Sequence, residues 1–166
     1  MRAILAFAIG LMIVLIAAHT VAAQEGLGGK TFVAGVSLGC ADFRGRPVQT
    51  YETSGLGDVA RSTLYGRIPV ITLDTEVMAS LSGKLQIFFY LHECAHHVLG
   101  HMFAPQPDSE KEADCWSIKI GRDQSYFNLS DVKSFTNRIM SSPGSARGHL
   151  PGRERMAHLL ECFETR

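Results

Sequence analysis

The sequence predicts an α+β domain, a small antiparallel sheet followed by a helix pair and further C-terminal helices. Three observations predict it. Short β-branched runs separated by glycine and proline turns fill the first half of the chain. Apolar residues at helical spacing fill the second half. Once an apolar N-terminal stretch is set aside, about 143 residues remain, enough for one hydrophobic core.

That N-terminal stretch has the layout of a targeting segment. Arg2 supplies a positive charge, residues 3–18 are apolar, and Val21 and Ala23 fit the small-residue positions before a cut ahead of Gln24. Residues 1–23 therefore read as a signal peptide and residues 24–166 as a single domain. The alternative is an uncleaved anchor formed by residues 3–23, because a membrane span needs ~20 apolar residues. Both place the remaining chain in an exported setting, periplasmic or secreted, with membrane contact only if that segment stays attached.

Residues 31–38 (TFVAGVSL) read as a strand with a glycine interruption, and residues 48–52 (VQTYE) as another. Residues 44–47 between them carry turn chemistry. Residues 54–58 (SGLGD) read as a loop. Residues 67–73 (RIPVITL) form a third strand, which Pro69 places at a sheet edge because proline donates nothing to a ladder. A short helix over residues 75–81 precedes a longer one. Ser82 is its N-cap, Leu85, Phe88, Phe89, Leu91, Ala95 and Leu99 repeat at helical spacing, and Gly100 suits the left-handed residue that ends helices. After a two-proline loop (residues 104–108) a second helix runs over 109–120, ended by Gly121. Ser130 caps a third helix over 131–140, with Val132, Phe135 and Ile139 on one face. A Ser/Pro/Gly loop over 141–152 leads to a last helix carrying Met156, Leu159, Leu160 and Phe163.

Composition narrows the function classes. Sixteen basic and sixteen acidic residues balance, and no Lys/Arg cluster stands out, so nothing points to nucleic acid or an anionic membrane as partner. The cysteines Cys40, Cys94, Cys115 and Cys162 are even in number, and in an exported chain they imply two disulfides. Three pairings are open. Cys40 with Cys94 and Cys115 with Cys162 is the preferred one. No C-x-x-C occurs, which argues against a cysteine metal site or a redox motif.

The chemistry-bearing segment is HECAH, residues 92–96. Residues four apart project from the same face of a helix. His92 and His96 can therefore reach one cation, with Zn–N distances of ~2.0–2.1 Å. Glu93 lies about 100° round from His92, out of ligand position but near enough to take a proton from an attacking water. A catalytic zinc site needs a third protein ligand. The pattern HExxHxxGxxH is not met, because Leu99 and Met102 occupy the glycine and last histidine positions. His101 is one alternative, about 140° round a continued helix from His96. Glu110 is the other. It begins a second helix that returns antiparallel to the first, and Asp114, four residues on, can accept the second ring N–H of a metal-bound histidine. Ser109 and Glu112 fit a capping box. His149, in the loop GHLPG, is a candidate oxyanion stabiliser, and Tyr126 and Arg153 are weaker ones. His97 is turned away from His96. Cys94 reads as a half-cystine rather than a nucleophile, and Asn128 opens an N-x-S sequon.

HExxH followed by a helix reading E-x-x-A-D (Glu110 to Asp114) resembles the gluzincin metallopeptidases. In detail it is similar to the clan of HtpX-like and CAAX-prenyl-protease enzymes and their small soluble relatives. The likeness covers residues 67–121. It implies a zincin-like fold, Zn2+ held by His92, His96 and Glu110, and Asp114 behind a histidine. It also implies that the strand over residues 68–73 lines the substrate cleft. The expected activity is zinc-dependent hydrolysis of peptide bonds in a peptide or protein substrate, with Glu93 as general base. The alternative is a non-catalytic zinc-binding or assembly factor on the same scaffold.

Overall fold

A computed structural model describes residues 29–144 and 149–165. The signal segment expected over residues 1–23 lies outside them. The architecture is α+β, with two small sheets followed by helices.

Strands β1 (Lys30–Val33) and β2 (Val36–Gly39) form an antiparallel hairpin. Ala34 and Gly35 both take positive φ, 49° and 79°, as a tight two-residue hairpin turn requires. Residues 31–38 are thus a hairpin rather than one interrupted strand.

The second sheet contains β3 (Gln49–Thr53), β4 (Ala60–Tyr65) and β5 (Ile68–Asp74) in the order β3-β5-β4. β4 is antiparallel to β5, but β3 is parallel to it, so this sheet is mixed rather than antiparallel. The edge position expected for residues 67–73 is also corrected, since β5 is central. Pro69 is tolerated there because pairing with β3 starts only at Val70, one residue later. The chain between β3 and β4 crosses the end of β5 and is pinned by Asp74. Leu56 N donates to its carboxylate at 2.7 Å, while Glu76 and Val77 N–H groups donate to the same carboxylate at 3.0 Å as an N-cap of α1 (Thr75–Ala79). These donors hold the Asp74 carboxyl below its ordinary range.

Helix α2 (Gly83–Val98) begins at the expected Ser82 cap and passes into Gly100 at φ 77°. It is buried almost all round from Leu85 to His97. A helix with no solvent face must be surrounded. β4 and β5 cover one side and α3 (Ser109–Asp123) another. The Cys40–Cys94 disulfide ties α2 to the end of the hairpin, and Cys115–Cys162 joins α3 to α6 (Gly152–Glu164). Both are the preferred pairings, and each would contribute ~2–4 kcal/mol to a domain of this size.

Three helix boundaries differ from expectation. The Ser109–Glu112 capping box does not form. Ser109 Oγ accepts from Gln106 N instead, and Glu112 turns to His101. α3 runs past Gly121. That glycine is needed for close approach, because a methyl group there would meet Phe127 Cζ at 1.9 Å. The third helix starts earlier, at α4 (Leu129–Ser134), capped by Asn128 in a box with Asp131, and gives way at Phe135 to α5 (Thr136–Ile139). Alanine at position 121 would gain ~1 kcal/mol of helix propensity, but overpacking costs ~1–3 kcal/mol. With three Phe127 ring atoms within 2.5 Å, packing dominates. Gly121→Ala should lower the urea midpoint of unfolding, and an unchanged midpoint would show that the Phe127 contact is not tight.

Candidate metal centre

α2 and α3 lie side by side, joined by the turn at Gly100 and the two-proline loop. This brings His92, His96 and Glu110 together. His92 Nε2 is 3.2 Å from His96 Nε2 and 3.2 Å from Glu110 Oε2, and His96 Nε2 is 3.5 Å from Glu110 Oε1. Four ligands at ~2.0–2.1 Å around a tetrahedral zinc are separated by roughly 3.3 Å. The two ring nitrogens, and each of them and the carboxylate oxygen nearest to it, therefore stand about one tetrahedron edge apart. Each is also an acceptor when its side chain is in its metal-binding form. Acceptors converge only when a proton or a cation lies between them, so the donor set fits a metal ion.

The protons of the metal-free protein make the same point. Burial alone would lower the pKa of His92, but the Asp114 and Glu110 carboxylates outweigh it and push the imidazole up to about 9. Burial would raise Glu110, yet His149, His92 and His96 together hold it far below the ordinary carboxylate range.

Asp114 meets His92 Nδ1 at 2.8 Å. It accepts the ring proton there, which leaves Nε2, turned toward Glu110 and His96, as the nitrogen a metal would take. Arg155 of α6 clamps Asp114 with Nε at 2.9 Å and Nη2 at 2.6 Å. Burial would raise the Asp114 carboxyl, but Arg155 and then His92 hold it down at about 2. Arg155 was not anticipated from the sequence, which drew attention to Arg153 instead. Its signal was its spacing with Leu159 and Cys162, a charged residue on the buried stripe of α6.

Glu93 is 6 % exposed. Its backbone carbonyl accepts from Ser62 Oγ at 2.7 Å, and its carboxylate makes no hydrogen bond to a described residue. It lines a hollow of about 280 Å³ with His96, Glu110, His149, and Ala60, Arg61 and Ser62 of β4. The strand along this cleft is thus β4, not the strand over residues 68–73, because β4 intervenes between β5 and the opening. His149 Nε2 stands 2.9 Å from Glu110 Oε2, at the metal cluster itself.

His101 contributes no atom to the cluster. Its Nδ1 faces His96 Nδ1 at 3.1 Å, the ring nitrogen opposite the one turned to His92 and Glu110. His97 donates from Nε2 to the Val70 carbonyl at 3.0 Å and belongs to the helix–sheet contact. Tyr126 and Arg153 do not line the hollow. A second group, Cys115, His158 and Cys162, offers no thiolate ligand, because its sulfurs are bonded to each other, and His158 Nε2 donates to the Lys111 carbonyl.

The fold and site define an α+β protein with a His-His-Glu cluster that could hold a metal ion. Its two disulfides suit an oxidising, exported environment. No helix among the described residues is long and apolar enough to cross a membrane. Comparison with family models, with curated proteins and with solved structures finds no match.

Proposed function

We propose that this protein is an exported zinc metallopeptidase of the gluzincin type. The observation that carries the reading is the spacing of His92 Nε2, His96 Nε2 and the Glu110 carboxylate, with Glu93 lining the hollow that His96 and Glu110 also line. His92, His96 and Glu110 would hold the metal. Zinc, when bound, supplies Lewis-acid polarisation of the scissile carbonyl and lowers the pKa of water to ~7.

The remaining work falls to the protein's own groups. Glu93 accepts the proton of the attacking water and delivers it to the leaving amine. Asp114, held by Arg155, fixes the orientation of His92. His149 lines the cleft beside Glu110, and once a metal takes the Glu110 carboxylate its ring N–H would be released to offset the charge that develops on the carbonyl oxygen. β4 forms one wall, suited to an extended peptide because an edge strand leaves backbone groups unpaired.

Metal analysis of protein purified without chelator tests the reading. Zinc should be stoichiometric in the wild type and lost in Glu110→Ala. Hydrolysis of a mixed peptide library should stop on chelation and return with added zinc. Wild type without zinc would refute the metal centre. Zinc without turnover of any peptide would reassign the chain to the non-catalytic binding or assembly role.

A further inference from the structure

We infer that His101 and Glu112 form a proton-bonded relay behind His96, which sets the tautomer of that histidine and tightens its grip on the metal. The inference rests on the zinc reading above. It concerns residues that offer no atom to the His92, His96, Glu110 group.

With both rings neutral and His96 Nε2 given to the metal, the geometry leaves one consistent set of ring protons. For His96 to offer its Nε2 lone pair to the cluster, its proton must sit on Nδ1. The group facing that atom is His101 Nδ1, 3.1 Å away, so His101 Nδ1 must accept. The His101 proton is then on Nε2, where Glu112 Oε2 lies 3.0 Å away and can only accept. The reverse arrangement fails at its outer end. A proton on His101 Nδ1 would turn the bare Nε2 lone pair of a neutral ring toward the Glu112 carboxylate, leaving two acceptors in contact. Glu112 thus dictates, through two rings, which nitrogen of His96 is free for the metal.

Local structure explains how this is built. Gly100, at φ 77°, reverses the chain after α2 and folds His101 back along His96. His101 is only 4 % exposed, in a place where an unpaired ring nitrogen would be costly. Glu112 lies on the first turn of α3, two residues after Glu110. It forgoes a capping role to reach the histidine. The two metal histidines are therefore supported separately, His92 by Asp114 with Arg155, and His96 by His101 with Glu112. Carboxylate partners behind a metal-bound histidine raise its basicity as a ligand, and their loss costs about 10–100-fold in affinity.

The test is zinc affinity of the purified protein, measured by chelator competition, with the visible spectrum of the cobalt-substituted form. His101→Ala should weaken zinc binding about 10–100-fold while leaving the cobalt spectrum unchanged, because no ligand is lost. His101→Asn, whose amide oxygen can take the His96 proton, should recover most of the affinity. Glu112→Ala, on the exposed end, should cause a smaller loss in the same direction, and no further loss when added to His101→Ala. Wild-type affinity in folded His101→Ala overturns the relay, as does a collapse of the cobalt spectrum, which would make His101 a ligand. If His101→Ala does not fold, wild-type affinity in Glu112→Ala overturns it alone. Absence of zinc from the wild type defeats the metal reading and the relay together. Zinc that is lost in Glu110→Ala but indifferent to His101 and Glu112 defeats only the relay.

Discussion

Replacing Glu93 by glutamine is expected to abolish peptide hydrolysis while zinc content stays at the wild-type level. The substitution keeps shape and volume at a residue that is 6 % exposed, and Ser62 holds the backbone at this position through the carbonyl, which the change does not touch. What is lost is the ability to accept a proton. General-base catalysis contributes ~10²–10⁴-fold, so kcat should fall by that range with little change in KM. Metal content should not move, because Glu93 offers no atom to the His92, His96, Glu110 triad. Full turnover in Glu93→Gln would transfer the role of base to another group in the cleft. Loss of zinc in that variant would instead make Glu93 part of the metal's support.

The parts of this site that could be read from the sequence are those fixed by local spacing. Ser82 and Gly100 bracket α2, and the four-residue step between His92 and His96 follows from helix geometry alone. Glu110 and Asp114 share a face of α3 for the same reason, and the structure brings that face to His92. What escaped the sequence depends on contacts between distant segments. β4 (ARSTLY) has no clean apolar alternation, because all but one of its residues are half-buried or exposed. Its pairing is with β5, and that same pairing makes β5 central in spite of Pro69. The parallel match of β3 to β5 likewise has no local signature.

Local rules also misassigned residues whose tertiary partner is stronger. The spacing of Ser109 and Glu112 satisfies a capping box, yet Glu112 serves a buried histidine. A hydrogen bond from a buried donor to a charged acceptor is worth about 1.5–3 kcal/mol, more than the ~1 kcal/mol typical of an N-cap. Gly121 looked like a helix stop, but the ring of Phe127 is what requires it. In each case the residue type was legible and its partner was not.

Arg155→Met should destabilise the metal-free protein by about 3–5 kcal/mol, the cost of leaving one member of a buried ion pair uncompensated. Asp114 is 1 % exposed and Arg155 5 %, so neither can recover hydration without local opening. Methionine fills much of the arginine stem's volume, which limits any cavity contribution. The pH dependence follows from the direction of the shift. The Asp114 carboxyl is held at about 2, below its ordinary value of 3.8, with Arg155 and His92 opposing the effect of burial. A depressed folded-state value stabilises the fold above the unfolded value, and that contribution, about 2 kcal/mol, disappears as pH falls from near 4 toward 2. Without the guanidinium, burial is opposed by His92 alone, the carboxyl rises, and acid unfolding should begin at higher pH than in the wild type. Adding Asp114→Asn to Arg155→Met removes the stranded charge while keeping an acceptor for the His92 ring proton, and should restore part of the lost stability. Denaturant unfolding of the three variants between pH 3 and 7, with chelator present, reads all of these effects. An Arg155→Met protein as stable as wild type across that range would mean that Asp114 draws its stabilisation from His92 alone, and the clamp on the back of the metal histidine would lose its basis.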